Sequence, residues 1–102
     1  MYKLYFYVPK ENLEQVKGAL FNAGAGQIGD YKKCAWQTKG VGQFQPSKNS
    51  NPHVGEQGQV EKLTEYKVEM VLEESLKDKI IETLLDVHPY EEPAYGLIKI
   101  VT

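Results

Sequence analysis

The sequence predicts an α+β domain in the order strand, helix, strand, long loop, strand, helix, strand. Three observations carry this. The apolar period switches from two to the helical spacing and back, and does so twice. Proline or glycine stands at most of the switches. The chain has 102 residues, the size of one domain with one modest core.

Each element follows from its pattern. In residues 1–8, Tyr2, Leu4, Phe6 and Val8 face one way, with Lys3, Tyr5 and Tyr7 opposite, which is strand alternation ended by Pro9. From Lys10 to Ala23 the stripe Leu13, Val16, Leu20, Ala23, with Phe21 beside it, predicts a helix closed by Gly24 and Gly26. A second strand is expected over Gln27–Lys39, through Ile28, Tyr31, Cys34 and Trp36. Residues 40–59 carry four glycines, two prolines and two asparagines, and are expected to form a long functional loop inside the one domain. The third strand is expected over Val60–Glu73, with Tyr66, Val68, Met70 and Leu72 as its apolar row and Glu65, Lys67 and Glu69 opposite. Ser75 and Asp78 have the spacing of a capping box, ahead of the helical repeat Leu76, Ile80, Leu84, Val87. Pro89 ends that helix, and Ala94–Val101 is the final strand.

This order is the split βαβ, ferredoxin-like arrangement, an antiparallel sheet with two helices on one face. The predicted core is Leu4, Phe6, Leu13, Val16, Leu20, Val68, Met70, Ile80, Leu84 and Ile98. The other face carries Tyr5, Tyr7 and the charged row, which predicts self-association.

Charge narrows the function classes. Twelve basic residues against fourteen acidic ones give a net charge of −2, and all twelve are lysine. Nucleic-acid binding needs a clustered positive excess and favours the arginine fork, so no nucleic-acid partner is expected. No apolar run approaches the roughly 20 residues of a membrane span, so no membrane partner is expected. The single cysteine excludes an internal disulfide and suits the cytoplasm.

The most distinctive segment is His88-Pro89-Tyr90-Glu91-Glu92-Pro93-Ala94-Tyr95. Its imidazole can titrate near neutrality or ligate a metal, and two carboxylates stand close by. Locally, His88 also suits a helix C-terminal cap, a cation at the negative end of the dipole. Cys34 reads as a small buried apolar residue, or as a thiol favoured by Lys32 and Lys33. Gly40-Val41-Gly42 reads as flexible loop that could bring backbone donors to a ligand, but it lacks a phosphate-binding fingerprint. Trp36 and Phe44 read as core or interface anchors. No serine has a nucleophile-elbow context.

Topology places the His88–Tyr95 turn beside the 40–59 loop. The second helix runs antiparallel to the third strand, so its end returns to where the loop finishes. The expectation is a shared cleft, within one subunit or across an interface. Its candidate ligand-binding residues are His88, Tyr90, Glu91, Glu92, Gly40, Gly42 and Phe44, with His88, Glu91 and Cys34 as candidate ligands for a divalent metal ion. Such a cleft suits a small polar ligand or a cation better than a large anion.

Several motifs occur together in order: Gly29-Asp30-Tyr31, Cys34, Gly40-Val41-Gly42-Gln43-Phe44-Gln45-Pro46, Asn51-Pro52, Gly55, Glu61 with Glu65, and His88 to Tyr95. On these, nearly the whole chain resembles the inserted domain of the dinuclear-metal-centre hexameric family, relatives of the NGG-interacting factor. The His-Pro-Tyr-Glu segment also resembles a turn of the CutA divalent-ion tolerance proteins. The resemblance implies the PII/CutA-like version of the fold, in a homo-oligomer with a trimer preferred and a dimer second. It also implies a stand-alone domain without the two flanking segments that hold the metals of the long members, whose dinuclear centre is therefore not carried over. The long members often have an acidic residue where this chain has Gly96. The implied function is a small cytoplasmic binding or regulatory module, with the question of an enzymatic role left open. The alternatives are a divalent-metal-binding protein of the CutA type and a metal-dependent hydrolase.

Overall fold

A computed structural model describes residues 1–102. Strand β1 (Tyr2–Pro9) leads through a single 3-10 turn at Lys10–Asn12 into helix α1 (Leu13–Asn22). Strand β2 (Trp36–Phe44) and strand β3 (Glu61–Leu72) follow. A second 3-10 turn at Glu74–Leu76 opens helix α2 (Lys77–Val87), and strand β4 (Tyr95–Lys99) completes the sheet. The strand order is β2-β3-β1-β4, and every pairing is antiparallel. This is the ferredoxin-like fold that the alternating periods predict. No helix is long and apolar enough to cross a membrane.

Alternation decides which face of the sheet is covered. Leu4, Phe6 and Val8 of β1 are fully buried under the helices, with Val68, Met70 and Leu72 of β3. Register explains the match: Leu4 stands opposite Met70, and Phe6 opposite Val68. From above, Leu13, Val16 and Leu20 of α1 and Ile80 and Leu84 of α2 close the core. These residues repeat at helical spacing, so each helix presents one apolar stripe.

The structure corrects five expectations. The second strand is not Gln27–Lys39 but Trp36–Phe44, with Ile28 and Tyr31 forming only an isolated bridge across a tight turn. Gly40-Val41-Gly42 is therefore strand and not flexible loop, and the true connection is residues 45–60. The strand tolerates glycine at position 40 because β2 is an edge strand and that position faces open space. Ile98 is 51% exposed and leaves the core list. In β4 it is Leu97 that stands opposite Leu4 and packs on the core, which turns Ile98 to the open face beside Lys3. Ser75 caps nothing: it lies inside the 3-10 turn, and α2 begins after Leu76 without a side-chain cap. Trp36, 68% exposed, is no core anchor; its indole N–H donates to Thr38 Oγ1 at 3.0 Å.

The open face is held by local polar and aromatic contacts. Lys3 pairs with Glu69 at 2.7 Å, and Lys67 lies 5.5 Å from the centroid of the Tyr5 ring. Tyr5 and Tyr7 meet edge to face at 6.4 Å. Tyr5 also crosses Gly96, where a β-carbon would collide with its phenol. An acidic side chain at position 96 would therefore displace Tyr5.

The two longer strands overrun β1. Residues 61–64 of β3 pair only with residues 41–44 of β2, so this end of the ribbon projects beyond the central strand. The long connection starts and finishes on this projection, and the α2–β4 turn arrives at its base. That coincidence positions the site.

Candidate functional site

Tyr90 is the hinge of the arrangement. Pro89 stops α2, and Tyr90 follows three residues after Val87, the last helical position. Its hydroxyl donates to Glu65 Oε2 at 2.7 Å. Burial, then the bond to the Glu65 carboxylate, hold the phenol well above the usual tyrosine range. Glu65 lies mid-strand in β3, directly opposite Gly40 on β2. Its carboxylate lies over Gly42, where any β-carbon would collide with it. Gly42 is therefore required by close approach: a side chain there would push Glu65 away from Tyr90.

His88 sits behind Tyr90 and is only 6% exposed. Its backbone N–H bonds to the Leu84 carbonyl at 2.9 Å and closes α2. Nε2 lies 2.7 Å from the Tyr7 carbonyl, and Nδ1 accepts the Tyr90 backbone N–H at 3.1 Å. A carbonyl only accepts, so Nε2 carries the proton; Nδ1 must be bare to accept. The ring is thus fixed as the neutral Nε2–H tautomer. Burial lowers its pKa below the ordinary value near 6.5, and the Tyr7 hydrogen bond opposes that only in part. His88 caps the helix as expected, but through its backbone and as a neutral ring, not as a cation answering the helix dipole. A metal on His88 would have to displace one of these two bonds.

In front of Tyr90 the structure opens a cavity of about 270 Å³. Phe44 and Gln43 come from the end of β2, Tyr7 from β1 and Glu65 from β3. The connection supplies Pro46, Ser50, Pro52, His53 and Val54, and the turn supplies Tyr90, Glu91, Glu92 and Ala94. The Phe44 and His53 rings lie 6.1 and 6.3 Å from Tyr90, inclined at 52° and 50°. The two chain segments are tied directly, since the Asn51 backbone N–H donates to both oxygens of Glu91, at 3.2 and 3.3 Å. Pro46 is buried and anchors the start of the connection, whose far end returns through a bond from the Gly58 N–H to the Pro46 carbonyl at 2.6 Å.

Of the residues singled out from sequence, Tyr90, Glu91, Glu92 and Phe44 line this one cavity, within a single subunit. His88 supports Tyr90 from behind. Gly42 gives Glu65 its place, whereas Gly40 lies further along β2 in open space. Cys34 stands apart. It belongs to a shallow depression with Lys3, Ile28, Trp36 and Glu69, is only half-buried, and its Sγ lies 3.9 Å from the Lys32 carbonyl. The metal set His88, Glu91, Cys34 is therefore not brought together, and no group of three or more His, Cys, Asp or Glu side chains is arranged so that it could hold a metal ion. Pattern reasoning passed over Glu65, Tyr7, Gln43 and His53 as site residues. Glu65 stood in the sequence as one member of a charged strand row and, with Glu61, as part of the family motif, but its partner at the site stands 25 residues away.

No family model matches the chain. Its sequence is 44% identical over 97 residues to a GTP cyclohydrolase 1 type 2 homolog of Halalkalibacterium halodurans, covering 95% of this chain and 26% of that protein. The Bacillus subtilis protein of the same name is 45% identical over 95 residues, 93% of this chain and 26% of the relative. The chain thus spans about a quarter of the length of the curated relatives it matches. Among solved structures, a Bacillus cereus protein related to NIF3 superposes with a TM-score of 0.80 at 36% identity, over 94% of this chain and 24% of that one. CutA1 from Pyrococcus horikoshii superposes with a TM-score of 0.71 at 20% identity, over 98% of this chain and 83% of that one, which establishes the shared fold alone. The chain is thus similar in sequence to about a quarter of the length of NIF3-related proteins, and in fold to CutA over nearly its whole length.

Proposed function

We propose that this chain is a ligand-binding or regulatory module whose site is the cleft between the 45–60 connection and the α2–β4 turn. One observation carries the reading. The connection is not merely draped over the sheet; hydrogen bonds from Asn51 to Glu91 and from Tyr90 to Glu65 hold the cleft open between fixed walls. Preformed concave sites with a few converging polar groups are where small ligands bind. A ligand there would touch both segments at once, so its presence would be felt by the whole projecting end of the β2–β3 ribbon.

The module is further proposed to work in the cytoplasm as a homo-oligomer, the trimer preferred. Trp36 and Ile98 are exposed on the open face of the sheet, away from the helix layer, as apolar surface suited to a second copy. The relatives' name speaks of GTP, but it belongs to proteins about four times as long. A triphosphate in this cleft would meet Glu65, Glu91 and Glu92 and no lysine. A nucleotide site is therefore not part of the proposal for this segment.

The test is a fragment screen by amide NMR on the full chain, with native mass by sedimentation. Fragments whose shifts cluster on Phe44, His53 and Tyr90 are expected. A screen in which no fragment moves those amides would overturn the cleft as a site. A mass of one 11.6 kDa chain at micromolar concentration would overturn the oligomer.

A further inference from the structure

Resting on the reading of the cleft as a binding site, we propose that its ligand is a small organic cation, an alkyl- or quaternary ammonium group. Three features of the lining converge on that class. The first is charge. Glu65, Glu91 and Glu92 face the cavity, and none of the thirteen lining residues is a lysine. The chain's two side-chain ion pairs, Lys3–Glu69 and Lys17–Glu14, lie elsewhere, so these three carboxylates have no cationic partner. A cleft walled by one sign of charge concentrates the opposite ion.

The second feature is the wall chemistry. Tyr7, Phe44, His53 and Tyr90 supply rings, and Pro46, Pro52, Val54 and Ala94 supply apolar surface. A hydrated metal ion gains little from such walls. An alkylated ammonium gains from both parts: its positive charge is attracted to ring faces and carboxylates, and its carbon shell is desolvated against the apolar surface. The carboxylates are also committed in ways that oppose metal coordination. One Glu65 oxygen takes the Tyr90 hydroxyl, and both Glu91 oxygens take the Asn51 N–H. Divalent calcium or magnesium would need six or more oxygens converging on one point.

The third is size. About 270 Å³ lies just below the range of roughly 300–1,000 Å³ usual for larger ligands, so the group inserted is small, on the order of ten heavy atoms at most.

The experiment uses three probes of one shape and different charge: tetramethylammonium, neopentyl alcohol and pivalate. Each is titrated into the full chain at constant ionic strength, sodium chloride balancing the salts, with the Phe44, His53 and Tyr90 amides as reporters. Tetramethylammonium is expected to saturate these shifts, with neopentyl alcohol and pivalate at least tenfold weaker. Glu65→Gln keeps an acceptor for Tyr90 and should weaken the cation about threefold or more. Glu92→Gln changes an exposed carboxylate without a hydrogen-bond partner, so it tests the same charge effect without threatening the fold. If the alcohol binds as well as the cation, the charge selection is wrong while the cleft remains a binding site. Preferred binding of pivalate overturns the proposal outright. If none of the probes moves the reporters, the cation proposal falls, and the fragment screen decides separately whether the cleft binds anything.

Discussion

Beneath the helices, Leu4, Phe6, Val16, Leu20, Ile80 and Leu84 are sealed from solvent by one another. At the projecting end of the same sheet, the 45–60 connection is held through the Asn51–Glu91 and Tyr90–Glu65 contacts, the return of Gly58 to Pro46, and the buried Pro46 ring. The first region is fastened by area, which is strong and undirected. The second is fastened by a few directional bonds that fix geometry while leaving apolar walls uncovered. A cleft has to be built the second way, because burying those walls would both stabilise the region and close the site.

The sharpest test of the contrast is Leu84→Ala. Leu84 is fully buried between α2 and the sheet, and its truncation should cost about 2–5 kcal/mol in chemical denaturation. An unchanged midpoint would mean that the helix layer is not the main source of stability.

His88→Ala comes next, at about 1–3 kcal/mol, because it leaves the Tyr7 carbonyl and the Tyr90 N–H without their partner. This variant also has a pH signature. The folded protein holds His88 neutral, with its pKa below the ordinary value near 6.5. As pH falls through that value the unfolded chain takes up a proton that the folded ring resists. Stability should therefore decline below about pH 6.5 and be insensitive to this residue above it. Denaturation midpoints from pH 8 to 5 should show a shallower decline in His88→Ala than in the parent. An identical decline would assign the acid sensitivity to another group.

Tyr90→Phe should cost about 1 kcal/mol, since one hydrogen bond to a carboxylate is lost at a partly exposed site. Its effect belongs in the cleft: the Phe44 and His53 amides should shift, and the core amides should not. Changes across the α1–α2 interface would show that the two regions are less separate than their contacts suggest.

The smallest effect is expected at Ile98. On an open sheet face, Ile98→Ala should stay within about 0.5 kcal/mol, and Leu97→Ala, on the core side, should cost more. A penalty at Ile98 that grows with protein concentration would reveal that another copy covers this face.

These contrasts also explain what the sequence could and could not reveal. The helix-covered face was legible because burial on one side forces alternation in β1 and β3 and a stripe on each helix. β2 was misplaced because both of its faces are largely exposed and nothing forces a pattern there. Its glycines at 40 and 42 resemble a loop, and Ile28, Tyr31 and Cys34 upstream resemble a strand. Ile98 was misassigned because Leu97, Ile98 and Ile100 are all apolar, so parity had to come from pairing with Leu4. At the site, Tyr90, Glu91 and Glu92 stood out because they follow one another in a proline-bracketed turn. Glu65 did not, since its meaning depends on a phenol 25 residues away and on a glycine across the strand pair.

The position of β1 in the sheet has a kinetic consequence. It is a central strand, yet it precedes both neighbours in chain order: Tyr2 faces Leu72 on one side and Lys99 on the other. Each edge of β1 closes only across more than 50 intervening residues, at a loop-closure entropy that grows only logarithmically with that length. Local pairing of β2 with β3 and the growth of α1 and α2 can run ahead of it. The step that inserts β1 between β3 and β4 should therefore set the folding rate, placing the domain among the slower mixed α/β folders. Until that step, the alternating row Leu4, Phe6, Val8 is exposed on a strand with two unpaired edges, and that is the interval in which a nascent chain is most open to misassociation.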